Sequence, residues 1–359
     1  MTQREAQLLH WIKENPMISQ QELAEKAGIT RSSVAVHISN LMKKGLIAGK
    51  GYVLNETPTV AVIGGVNMDI GGIPNKSLVA HDSNPGRVHM SLGGVGRNIA
   101  HNMRLLGIHT QLITALGDDV SAGKITSSCN ELGIDLSHSL KVPNGATSTY
   151  LFITDQAGDM ELAVSDMDIY SHMTPAFIME KIPALKAAKI IVADTNIPSE
   201  TLVCLAENSP VPVFADPVST TKALKLKPVL GKLHTLKPNL LEAELLSGMA
   251  ISDQASLKSA AEALLSTGLQ RVFISLGKDG VYAADHQRHL QLPCRPGKMI
   301  NTTGCGDAFM AALVWGYLED MNLEQSARAG LAASAIAMES PETIHPEMSA
   351  DAIRIRAEL

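Results

Sequence analysis

Apolar residues along this chain obey two different periodicities, and the change between them divides it. Over the first 50 residues they recur at helical spacing. Leu8, Leu9 and Ile12 share one face of Gln3–Glu14, which Pro16 ends, and Val34, Ile38, Leu41 and Met42 share a face of a helix running to Lys44. Ser19, with Glu22 three residues on, has the form of a capping box; it opens a helix through Lys26, and Thr30 caps the next one. Gly28 turns between these two helices, and Leu46–Leu54, around Gly49 and Gly51, predicts a small β-wing. The polar run Asn55-Glu56-Thr57-Pro58 marks a boundary. The predicted domains are therefore residues 1–55 and 59–359.

From Thr59 the pattern becomes short aliphatic runs bounded by turn residues: Thr59–Gly65, Gln111–Gly117, Lys189–Asp194, Val211–Asp216, His234–Lys237 and Arg271–Gly277. Amphipathic helical stretches lie between them, such as Val95–Leu106, Ser199–Glu207 and Leu257–Ser266. Buried runs alternating with helices predict an α/β fold, a mostly parallel sheet with helices on both faces. Such sheets hold ligands beyond the carboxyl ends of their strands. Two stretches, about 70–92 and 148–164, read instead as extended, half-exposed pairs, a small β lid or dimer surface with polar tips at Asp82–Gly86 and Asp155–Asp159.

Composition alters this picture little. The chain has 359 residues, 45% of them hydrophobic, and only 3% aromatic, so its core is aliphatic. Net charge is −6, which argues against a nucleic-acid coat over the whole chain. Seven basic and four acidic residues in 1–55 nevertheless make that segment 7 − 4 = +3. The four scattered cysteines match no metal spacing and read as free thiols of a reducing compartment. No stretch reaches the roughly 20 apolar residues of a membrane span, and no signal peptide is evident, so a cytoplasmic protein is expected. His286 and His289 sit in a polar turn without a third ligand, the setting of a surface loop rather than zinc.

The strongest chemical pattern is Asn301-Thr302-Thr303-Gly304-Cys305-Gly306-Asp307-Ala308-Phe309, opening an apolar helical run. Gly304, Cys305 and Gly306 bring unpaired helix N-terminal amides to an anion. Asp307 in the first turn can take a proton from an attacking hydroxyl while those amides stabilise a transferring phosphoryl group. Apart from this, Gly93-Gly94-Val95-Gly96-Arg97-Asn98 opens another helix, Gly64–Asp69 ends the first strand, Asn239-Leu240-Leu241-Glu242 has an N-x-x-E form, and Ser275–Gly280 is a glycine turn. No Walker A loop or dinucleotide fingerprint is present.

Taken together and in this order, these motifs resemble the ribokinase-like (PfkB) carbohydrate kinases, over Thr59 to about Glu339. Asn301 and Cys305 depart from the family's D-T-x-G-A-G-D. The resemblance implies an ATP-dependent kinase in which Asp307 is the base and Gly304–Gly306 the anion hole. It also implies that Asp69, Asn67, Gly93, Gly94 and Asn98 hold substrate hydroxyls, and that Asn239, Ser275, Gly277 and Gly280 contact ATP. Glu242, with Asn239, would organise Mg2+, mostly through water. A monovalent cation is a further expectation, which Asn301 puts in question. Within the family the lid and Thr235–Glu244 resemble bacterial pseudouridine kinases, which would make the acceptor a nucleoside 5′-hydroxyl and set Ser83, Asn84 and Arg87 against the base. Another nucleoside or a furanose sugar is the alternative. Residues 1–55 resemble winged-helix regulators, with Arg31, Ser32, Ser33 and His37 facing DNA. A homodimer is expected, and a DNA-binding regulator using the kinase fold as a metabolite sensor is the rival reading; a helical cap is a third reading of residues 1–55.

Overall fold

A computed structural model describes residues 1–49 and 59–359. Three helices, Gln3–Glu14, Gln20–Ala27 and Arg31–Lys43, begin the chain. Thr2 with Glu5 and Ser19 with Glu22 form complete capping boxes, and Gly28 takes the left-handed conformation that ends the second helix. Leu8, Ile12, Leu23, Val34, Ile38 and Leu41 bury their side chains in one small core. Met42, expected on that face, is exposed. Lys44 Nζ lies 2.6 Å from the buried Glu5 carboxylate, tying the third helix to the first. Most of the expected wing, from residue 50 on, and the 55–58 boundary lie outside the described residues.

The second region is built on an eight-stranded sheet. Its order is His289–Leu292, Val281–Asp285, Arg271–Ser275, Thr235–Leu236, Val213–Asp216, Ala188–Asp194, Thr59–Ile63 and His109–Ile113. All neighbours pair parallel except at the Val281–Asp285 and His289–Leu292 edge. Side chains alternate faces along each strand. Val60 and Val62 thus join one apolar layer with helices Val95–Leu105 and Cys305–Leu318, while Ala61 and Ile63 join another with Ser199–Asn208 and Gln254–Ser266. Helix Cys305–Leu318 is apolar around most of its surface because it is sandwiched by the sheet and helix Leu323–Met338.

Chain direction decides where a site can form. From Thr59–Ile63 the chain moves outward to His109–Ile113, then returns to pair Ala188–Asp194 against the other side of the first strand. Connections leave in opposite directions there, opening a crevice beyond the strands' carboxyl ends. A second sheet of four strands, Gly86–Gly93, Asn67–Pro74, Thr149–Thr154 and Met160–Asp166, stands over that crevice, where the lid was expected. Its root is pinned. The Tyr170 hydroxyl, just past the last lid strand, accepts from Val66 N at 2.7 Å and also bonds to Val66 O.

Candidate active site

Helix Cys305–Leu318 begins at the crevice with no side-chain cap. Gly304 precedes it at φ +83°, and a Cβ there would lie 2.3 Å from Thr343 O, so only glycine permits this turn. Cys305 N makes a long 3.4 Å bond to Thr302 O, and the Gly306 and Asp307 amides are left for a ligand. Asp307 lies buried in this turn, and its Oδ2 accepts from Asn98 Nδ2 at 2.9 Å. Burial, reinforced by the nearby Asp216, pushes its carboxyl up to about 8 against the opposing pull of Asn98 and Lys237.

Helix Val95–Leu105 brings Asn98 here because Gly93 and Gly94 let its start pack closely. A Cβ on Gly94, at φ +96°, would meet Gly65 O at 2.5 Å, and one on Gly93 would meet Asp69 Oδ2 at 2.1 Å. Asp69 is held by the Asn67 amide. Burial raises its carboxyl to about 6, opposed by Asn67 and Arg97. The Asn98 side-chain oxygen is buried, has no partner among the described residues, and lines neither of the cavities described next.

Two cavities flank the 302–306 turn. One of about 940 Å³ runs under the lid and is lined by Asp69, His89, Arg97, Tyr150, Phe152 and Thr303. The other, about 620 Å³, is lined by Lys237, Ser275, Gly277, Gly280, Cys305 and Gly306. The first has the polar floor of a sugar site, the second the glycine turns of a phosphate site.

Asn239 and Glu242 meet as a capping box. Glu242 N donates to Asn239 Oδ1 at 2.9 Å and Asn239 N to Glu242 Oε2 at 2.8 Å. This uses one oxygen of the buried Glu242 carboxylate and leaves the other for a magnesium-bound water, so the residues fit the ion. Magnesium keeps its waters and needs few protein carboxylates. At Asn301 the amide is committed elsewhere: Oδ1 accepts from Thr303 N and Nδ2 donates to Pro341 O.

Three residues without an assigned role in the sequence reading converge here. Lys237 is buried, pairs with Asp216 at 3.2 Å, and its Nζ sits 3.2 Å from where a Cβ on Gly306 would be. Burial alone would lower its pKa, but Asp216 and Glu242 outweigh that and raise it. Asp194, fully buried, accepts from Gly65 N at 2.8 Å and reaches about 6, chiefly through burial. Strand order, invisible in local patterning, brings them together.

Some expected contacts do not form. Asn84 spends its side chain on Val79 and Asp82 within the lid's outer turn, and Ser83 is exposed beside it. Neither lines the cavity, nor does Arg87, which pairs with Ile73 two residues beyond His89 on the same face. In the N-terminal domain Ser32 and Ser33 bond the capping Thr30, and Ser33 and His37 are only half-exposed, His37 with Nδ1 buried. The open face of that helix carries Ser32, Val36, Ser39 and Lys43 instead, with Arg31 at its start.

A nucleotide cavity and a hydroxyl-lined cavity meeting at an anion-binding helix start, with a carboxylate behind it, define a small-molecule phosphotransferase. Residues 57–350 match the pfkB family carbohydrate kinase model, and residues 3–48 match the winged helix-turn-helix DNA-binding model. The chain is 38% identical to "Uncharacterized sugar kinase YeiI" of Escherichia coli, covering 98% of each chain. It is also 38% identical to the pseudouridine kinase of Escherichia coli, over 82% of this chain and 95% of that one. A carbohydrate kinase from Agrobacterium tumefaciens has the same fold, with TM-score 0.76 and 26% identity over 84% of this chain and 98% of its own. The chain belongs to the PfkB carbohydrate kinase family, as a sugar or nucleoside kinase carrying an N-terminal winged helix-turn-helix. Membership implies ATP as phosphoryl donor, with magnesium usual. Among the described residues no helix is long and apolar enough to cross a membrane.

Proposed function

We propose that this kinase phosphorylates the 5′-hydroxyl of a nucleoside, pseudouridine foremost, with Asp307 as the base. One observation carries the chemistry: the Thr302–Gly306 turn forms a wall of both cavities, with Asp307 behind it. Asp69 and Asn98 hold the ribose hydroxyls, so the 5′-oxygen is directed at Asp307. The Gly304–Gly306 amides and Lys237 meet charge growing on the transferring group. Ser275, Gly277 and Gly280 line the nucleotide's cavity, and Asn239 with Glu242 would hold the magnesium through water. Bound magnesium neutralises the phosphate oxygens. Because Asn301 is uncharged and its Oδ1 already accepts from Thr303 N, turnover is expected to be independent of potassium. The equal identity to a pseudouridine kinase and to a sugar kinase leaves the acceptor to experiment. A panel of nucleosides and furanoses with ATP and magnesium is expected to give the highest kcat/KM with pseudouridine; preference for a free sugar would refute the nucleoside reading.

The exposed Arg31, Ser32, Val36 and Lys43 support a second role as a DNA-binding regulator. The full chain is expected to shift DNA from its own upstream region at low salt, and Arg31→Ala to weaken that binding at every salt concentration. No shift at low salt would end this reading. Homodimerisation fits the lid's outer face, where Val88, Met90, Leu151, Leu162 and Val164 are exposed as cross-strand neighbours.

A further inference from the structure

Residues two apart on a strand face the same way, about 6–7 Å from each other. On the lid's inner face Asp69 is opposed by Ser91 and Tyr150, and the next row outward is His89, Gly71 and Phe152. Gly71 leaves the middle of that row bare. A Cβ there would lie 2.1 Å from His89 Cε1 and 2.7 Å from Phe152 Cζ, so both rings lean across the glycine. Their centroids are 5.7 Å apart, edge to face, and Tyr150 lies 5.8 Å from Phe152. All three line the cavity that contains Asp69.

We propose that His89, Tyr150 and Phe152 form the subsite for a planar nucleobase, one row beyond the carboxylate that holds the ribose. This rests on the nucleoside reading and names the part of the molecule that separates a nucleoside from a free furanose. A furanose bound at Asp69 ends before that row, whereas the base of a nucleoside extends onto it. Flat rings offer stacking surface that tolerates several bases. His101, one helical turn from Arg97, also lines the cavity, with its Nδ1 buried and without a partner among the described residues. Burial, with help from Arg97, lowers the His101 pKa to about 4, so its ring in the cavity wall is neutral.

The test is steady-state kinetics on the full chain with Phe152→Ala and Tyr150→Ala, using pseudouridine, uridine and D-ribose as acceptors. Stacking of this kind predicts a rise of about tenfold or more in KM for nucleosides. KM for ATP and the kcat/KM, or competitive inhibition constant, for ribose stay within about twofold, and Phe152→Tyr restores the parent value. Should Gly71→Ala, which forces the rings aside, leave nucleoside KM unchanged, the subsite is wrong. The same holds if nucleoside and ribose weaken together in Phe152→Ala. A parent enzyme that turns over ribose but no nucleoside removes the nucleoside reading itself, and the subsite with it.

Discussion

Asp307→Asn is expected to bind ATP like the parent and to turn over at least about 100-fold more slowly, the lower end for loss of a general base. The amide keeps the shape and can still meet Asn98, but it cannot take the proton of the acceptor hydroxyl. Equilibrium nucleotide binding and single-turnover phosphorylation separate the two effects, and a variant that turns over at the parent rate removes Asp307 from this role. Parent kcat/KM should climb with pH through one proton toward about 8, where the buried carboxyl ionises. Stability runs the other way. The folded protein holds this proton more tightly than the unfolded chain, whose carboxyl has the ordinary 3.8. The contribution is present in full below that value and is lost as pH rises to about 8. At pH 8.5 the asparagine variant should therefore melt higher than the parent, and by less at pH 5.

Lys237→Met should cost both activity and stability, and the two losses can be pulled apart. Asp194, Asp216, Glu242 and Asp307 are all buried near one another, and Lys237 is the buried cation among them. Removing it strands Asp216, a change that costs about 3–5 kcal/mol when one partner of a buried pair is lost. It also removes the charge facing the Gly306 turn, worth about 100- to 1000-fold in kcat by analogy with loss of one oxyanion donor. In Lys237→Met with Asp216→Leu the stranded charge is gone, so thermal stability should recover while turnover does not. Recovery of both would make the lysine a purely structural counter-ion.

Much of the fold was legible because its signals are local. Ser19 and Glu22 announce a helix start within four residues, and the aliphatic runs from Thr59 to Ser275 each fall on a strand. The Gly304–Asp307 turn was legible for the same reason. Asn239 and Glu242 were found as a motif, but their mutual capping is visible only in the structure. Asp194 and Asp216 end two strands and Lys237 follows a third, and what joins them is sheet order. The lid misled most. Both of its faces are partly exposed, so alternation does not say which one covers the substrate, and the polar tip at Asp82–Gly86 drew attention from the rings on the strands. Register resolves it: Gly71 pairs with His89 on one side and Phe152 on the other.

The pin at Tyr170 sets how far each part of the lid can travel. A sheet turning about a fixed root moves each point in proportion to its distance from the pivot. Asp69 lies three residues from Val66, about 10 Å along the strand, and Gly71 five residues, about 16 Å. The carboxylate therefore travels about three-fifths as far as the rings in any such turn, so closing the lid shifts the ring-bearing row more than the sugar-facing one.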